Sequence, residues 1–154
     1  MHDDKCGLRA WSHMLGAHAL AVRTVDERLK AAGQHPLEWY DVLLELERSG
    51  GQLRIGDLAQ RIVIEPYNMT RLLDRLEDQK LIRREKSEGD RRGALAVLTE
   101  EGLALRRGMW PHYRRAIFDV FGRALSAHEA DGMVRACKKV IAHLRGSMST
   151  SRAS

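Results

Sequence analysis

The sequence predicts a mainly α-helical chain with one small β-hairpin, and three observations carry that prediction. Apolar residues recur at spacings of three and four near both ends, from Leu8 to Leu29 and from Met133 to Leu144. Between them lie two short segments of helical period joined by a brief turn. The period then changes to two in "LIRREK" and "ALAVL", which are separated by the seven residues "SEGDRRG". Helix, turn, helix, hairpin is the order of a winged helix-turn-helix, here flanked by long N- and C-terminal helices suited to dimerisation.

Taken in order, Leu8, Trp11, Leu15, His18, Val22, Val25 and Leu29 form a heptad seam on a first helix that should stop near Gly33. Pro36 opens a second helix, "PLEWYDVLLELERSGG", with proline at its start and glycines at its end. Its Leu37, Trp39, Tyr40, Val42, Leu43, Leu44 and Leu46 cover both faces, so it should be the buried central helix. "QLRI" is short enough for a minimal strand, and Ile55, Leu58, Ala59 and Ile62 give a two-turn helix. A helix beginning near Pro66 carries its core stripe on Met69, Leu72, Leu73 and Leu76. After the hairpin, Thr99 is an N-cap with Glu100 and Glu101 behind it. That helix should reach about Ala124 and kink at Pro111. Ser126 and Glu129 have capping-box spacing for the last helix, whose seam is Met133, Cys137, Val140 and Leu144.

The expected organisation is a helical dimerisation region from residues 1–35 and 103–146, a winged region at 36–102, and a disordered tail at 147–154. The 154 residues suffice for a real core. No apolar run approaches the roughly 20 residues of a membrane span, and the N-terminus has no apolar signal core, so a cytoplasmic location without membrane contact is expected. Twenty-six basic against 21 acidic residues give +5, a balance compatible with a nucleic-acid partner. Two cysteines exclude a disulfide scaffold, and seven histidines without His-x-x-x-His spacing or a mixed cluster imply no metal. No nucleophile elbow, phosphate loop or glycine-rich nucleotide turn is present, so neither an enzyme nor a bound cofactor is expected.

The stretch Asp90, Arg92, Leu98, Thr99, Gly102 resembles the hallmark of the MarR family of bacterial transcription regulators: Asp-x-Arg at a wing tip, a strand, then Leu-Thr-x-x-Gly opening a long helix. The likeness runs from about Leu8 to Leu144, with "TRLLDRLEDQKLIRRE" similar to the family's recognition helix entering the wing. It implies a homodimer that binds double-stranded DNA at an inverted repeat, usually as a repressor. One departure is "IEPYN", where many relatives carry a serine or threonine cap, so the operator sequence does not carry over.

Within that frame, the wing arginines acquire a role. An arginine fixed in a narrow minor groove loses about 2 kcal/mol of rotamer freedom. Asp90, two residues away, can hold the Arg92 guanidinium beforehand while Arg91 meets phosphate. On the recognition helix, Tyr67, Asn68, Thr70, Arg71 and, one turn on, Arg75 lie opposite the core arc and should face the major groove. Asp74 and Asp78 are positioned to tether Arg71 and Arg75. Arg84 and Lys86, on the strand leading to the wing, are candidate phosphate contacts.

Regulators of this kind respond to a signal. The resemblance places a frequent ligand pocket between the dimer helices and the wing. There Trp11, His18, Trp39, Tyr40, Trp110, His112 and Tyr113 could form an aromatic, mildly cationic cleft for a small aromatic effector such as a planar acid; the competing reading is that they are core. Cys6, ahead of the first helix, is the candidate for a thiol redox response, though it lacks the nearby tyrosines of peroxide-sensing relatives. Cys137 is expected to be an inert core thiol. The same winged fold could also serve as a protein-interaction module.

Overall fold

The computed structural model describes residues 4–62, 66–86 and 93–151, with the side chains of 66, 67 and 148–151 outside that description. The element order is α1 (Asp4–Ala31), α2 (Leu37–Arg48), β1 (Gln52–Arg54), α3 (Ile55–Arg61), α4 (Pro66–Asp78), β2 (Ile82–Lys86), β3 (Ala94–Leu98), α5 (Glu100–Ile117), a π-helical turn (Phe118–Gly122) and α6 (Ala127–Ser151). Every expected helix and both hairpin strands are present. "QLR" also pairs, so the hairpin becomes a three-stranded antiparallel sheet of order β1-β3-β2. In it Leu53 and Arg84 both face Ala96 across the central strand.

The core is built around α2. Its Trp39, Val42, Leu43 and Leu46 pack with Leu58 of α3, the Met69, Leu72, Leu73 and Leu76 stripe of α4, and Ile82 and Ala96 of the sheet. Burying a side chain of this size contributes about 1.5–3 kcal/mol, so the stripe on α4 is what seats that helix. Val25 and Leu29 of α1 and Met109 of α5 are buried as well. Pro36 offers α2 no side-chain cap; the first free amide, that of Leu37, instead donates to Asp26 of α1 at 2.8 Å.

The Leu-Thr-x-x-Gly segment has a physical explanation here. The Thr99 hydroxyl accepts from the Gly102 amide at 3.0 Å, capping α5, and lies 2.7 and 2.8 Å from the carbonyls of Lys80 and Leu81. A Cβ on Gly102 would sit 2.0 Å from the Leu81 carbonyl oxygen. Glycine is therefore what lets α5 start directly against the corner between α4 and β2.

α5 continues past Pro111 to Ile117, where the backbone widens into a π turn that carries the helical run to Gly122, close to the expected end near Ala124, and is closed by the Arg123 amide on the Phe118 carbonyl at 3.0 Å. Some expectations need correction. α6 continues to Ser151, so the disorder expected for 147–154 gives way to helix through 151; the Ser147 hydroxyl donates back to Leu144 within it. Cys137 is exposed, not core. The chain divides into two compact units at 116/117, and Val25, Leu29 and Met109 are buried in the first. The capping box is formed as expected: the Ser126 amide donates to Glu129 at 2.8 Å and the Glu129 amide to the Ser126 hydroxyl at 3.3 Å.

Candidate nucleic-acid interface

The two faces of α4 are fully segregated. Met69, Leu72, Leu73 and Leu76 are buried, while Asn68, Thr70, Arg71, Asp74 and Arg75 are exposed. Tyr67 is in the first turn of α4, with its side chain outside the described residues. Asp90, Arg91 and Arg92 also lie outside them, so the wing tip is known here only as sequence. Lys86 is exposed at the end of β2.

Arg84 has an occupation the sequence reading did not assign. Its side chain donates to Glu77 from Nε at 3.2 Å and Nη2 at 3.0 Å, and Nη2 also donates to Asp74. Its amide donates to the second Glu77 oxygen at 2.9 Å. These bonds, side chain first and backbone second, hold the Glu77 carboxyl below the usual carboxylate range. Asp74 is thus joined to the sheet through Arg84. A readable signal existed: Arg84 is two residues from buried Ile82 on an alternating strand, so both side chains point toward α4.

A second feature is a cleft of about 1200 Å³ bounded by α1, α2, the end of α3 and α5. His18, Trp110 and Tyr113 of the expected pocket line it. Trp39 and Tyr40 are core residues, with Trp39 stacked on His35 at 4.5 Å and Tyr40 on Tyr113 at 4.0 Å. Trp11 and His112 are exposed and are not part of the lining. The cleft is not cationic: Arg23, Arg48 and Arg61 are set against Asp26, Glu38, Asp41 and Glu45. Arg61 is further tied to Glu45 at 3.0 Å. Burial pushes the Asp41 carboxyl up to about 6 and, with Asp41 beside it, raises the Tyr113 phenol. Cys6 is an exposed thiol, and among the described residues no group of histidine, cysteine and carboxylate side chains could hold a metal ion.

This architecture has close counterparts. The MarR family model matches residues 35–93. The crystal structure of AbsC, a MarR family transcriptional regulator from Streptomyces coelicolor, superimposes with a TM-score of 0.77 at 31% identity, covering 90% of this chain and 94% of AbsC. The chain belongs to the MarR family. A second MarR family regulator from that organism, Sco3205, solved in complex with DNA, matches with a TM-score of 0.76 at 25% identity, covering 87% of this chain and 84% of Sco3205. The HTH-type transcriptional regulator YfiV of Bacillus subtilis is 37% identical over 68 residues, a stretch that spans 44% of this chain and 42% of YfiV. MarR proteins are transcription regulators rather than enzymes. Among the described residues, no helix is long and apolar enough to cross a membrane.

Proposed function

We propose that this MarR-family chain is a homodimeric, sequence-specific DNA-binding repressor acting in the cytoplasm. In this reading α4 enters the major groove of an inverted repeat and Arg92 of the wing enters the minor groove. The observation that carries it is the segregation of α4, whose apolar stripe is wholly used by the core while Asn68, Thr70, Arg71 and Arg75 are left on the surface. Asparagine suits adenine, arginine suits guanine, and a threonine methyl suits thymine. Dimerisation is supported by the apolar side chains that α1 and α6 leave exposed, among them Leu8, Leu15, Val140 and Leu144. Release by a small aromatic effector is supported by the cleft that Trp110 and Tyr113 line.

The test is a footprint on genomic DNA bound by the protein, followed by affinities for that site and for mixed-sequence duplex. A dyad-symmetric footprint is expected, with half-site centres roughly 10 base pairs apart or a multiple of it. Arg71→Ala should cost on the order of 1–3 kcal/mol on the site and relax discrimination at one or two base positions. Arg92→Ala should weaken binding to all sequences and flatten its salt dependence. An asymmetric footprint, or an Arg92→Ala variant with both affinities unchanged, overturns the corresponding part.

A further inference from the structure

We infer that Arg84 acts as a positioning residue that locks the recognition helix to the wing strand and masks two carboxylates from DNA, rather than as a phosphate contact. The role rests on the DNA-binding reading above. In the sheet order β1-β3-β2, β2 is an edge strand, and edge strands present unpaired backbone groups on their outer side. The Arg84 amide is satisfied there by Glu77 of α4 at 2.9 Å. The guanidinium then closes over Glu77 and, one helical turn earlier, over Asp74. One residue therefore makes four hydrogen bonds to two carboxylates on the same side of α4. Both the backbone and the side chain of β2 are joined to the helix at the point where the strand leaves for the wing.

Arg83, the preceding residue, shows the contrast. It pairs with Glu85 of its own strand at 2.7 Å and, among the described residues, ties nothing to α4. Arg84 is also the more enclosed, with its side chain 30% exposed against 58% for Arg83. A guanidinium committed to two carboxylates has little left to offer a phosphate. Its effect on DNA is indirect. Asp74, about half exposed, lies on the polar side of α4 among Arg71 and Arg75. An uncompensated carboxylate there repels a polyanion of any sequence across the roughly 8–10 Å over which charge is felt at physiological salt.

The experiment measures affinity for mixed-sequence duplex across a salt series. Arg84→Met keeps the stem but removes the charge and should weaken binding roughly tenfold at low salt, with the deficit shrinking as salt rises. Adding Asp74→Asn and Glu77→Gln to that variant should restore affinity to within about threefold of wild type at low salt, because the unmasked charges are gone. Moving the two neutralisations to Asp4→Asn and Glu27→Gln, remote and exposed on α1, should leave the loss in place. Arg84→Lys, with charge but no fork, should hold mixed-sequence affinity while losing roughly tenfold on the footprinted site. A triple variant that stays weak, with its salt slope reduced by about 0.9, would make Arg84 a phosphate contact and overturn the inference. Rescue by the remote pair would overturn it in favour of net charge alone. A wild-type chain that binds no duplex at low salt overturns the DNA reading itself; binding by the wild type with Arg84→Met unaffected overturns this role only.

Discussion

The apolar stripe of α4 and the apolar stripes of α1 and α6 were written in the same code, yet the chain treats them oppositely. Met69, Leu72, Leu73 and Leu76 are at most 2% exposed, whereas Leu8 is 67%, Trp11 58% and Leu144 53% exposed. On α1 the change occurs within one helix: the C-terminal turns bury Val25 and Leu29, and the N-terminal turns leave Leu8, Trp11 and Leu15 uncovered. Periodicity therefore reports that a face exists, not what covers it. The winged core is complete within one chain. In the proposed dimer, the long helices complete theirs only with a second copy.

The largest effect should come from testing that difference directly. Leu15→Asp combined with Val140→Asp places charge on exposed apolar positions of α1 and α6. It should abolish operator binding, by about a hundredfold or more, while leaving the winged core folded, because burying a charge in an apolar interface costs several kcal/mol. Sedimentation should show a dimer for wild type and a monomer for the variant; a wild-type chain that sediments as a monomer at micromolar concentration breaks the comparison.

Leu76→Ala probes the other side. It removes a fully buried residue and should cost about 2–5 kcal/mol by denaturant unfolding, with the same increment at every protein concentration. Leu144→Ala, more than half exposed, should act only through the concentration-dependent part of stability. If Leu144→Ala costs as much in dilute as in concentrated protein, its stripe is covered from within the chain.

Much of this was legible because it is local. Pro36 marks a helix start by its fixed φ, Thr99 and the Ser126–Glu129 box do so through bonds spanning three residues, and each end is found where those residues stand. The α4 stripe was readable because four apolar residues share one narrow arc. What escaped was non-local or weakly patterned. Arg84 meets Asp74 across a strand and a helix, and charge type alone does not say which of the nearby carboxylates an arginine will reach. β1 has three residues, too few for an alternation, and its pairing with β3 is fixed by a bridge more than 40 residues distant in sequence. The last turns of α6, rich in serine, carry no apolar period although the helix continues. Which exposed residues of α4 would meet bases in the proposed complex depends on the partner, so no contact within the chain decides it.

Asp41 supplies a pH-dependent test at the cleft. Its folded pKa, raised by burial to about 6, lies above the 3.8 of an unperturbed aspartate. Between those values the folded chain holds a proton that the unfolded chain has lost, so stability should fall as pH rises through that window and stay lowered above it. Asp41→Asn should remove the slope and stabilise the protein at neutral pH by on the order of 1–2 kcal/mol, allowing for the solvent that still reaches the side chain. Melting curves from about pH 4 to 8 give the comparison. An unchanged slope would mean that the cleft solvates Asp41 better than its burial implies, and that this face is less like the core than α2's other side.

The smallest effect concerns how α4 ends. Three helices close with the same pair of backbone bonds. After α1, Gly33 donates to Lys30 and Gln34 to Leu29; after α2, Gly50 donates to Glu47 and Gly51 to Leu46; after α4, Lys80 donates to Glu77 and Leu81 to Leu76. The residue that turns the chain must be left-handed, with φ of 69° at Gly33, 81° at Gly50 and 58° at Lys80. Only the third carries a Cβ, which costs roughly 1–2 kcal/mol in that region. Lys80→Gly should relieve that strain. Glycine, however, enlarges the freedom of the unfolded chain by about 0.5–1 kcal/mol, and a cation near the helix C-terminus is lost. The expected net is a gain of a few tenths of a kcal/mol, read as a higher denaturant midpoint at unchanged slope. Gly50→Ala, the mirror experiment, should lose about 1 kcal/mol. A Lys80→Gly variant that is instead clearly less stable would show that the lysine side chain holds this corner, where Thr99 and Gly102 also meet the chain, by contacts beyond its backbone.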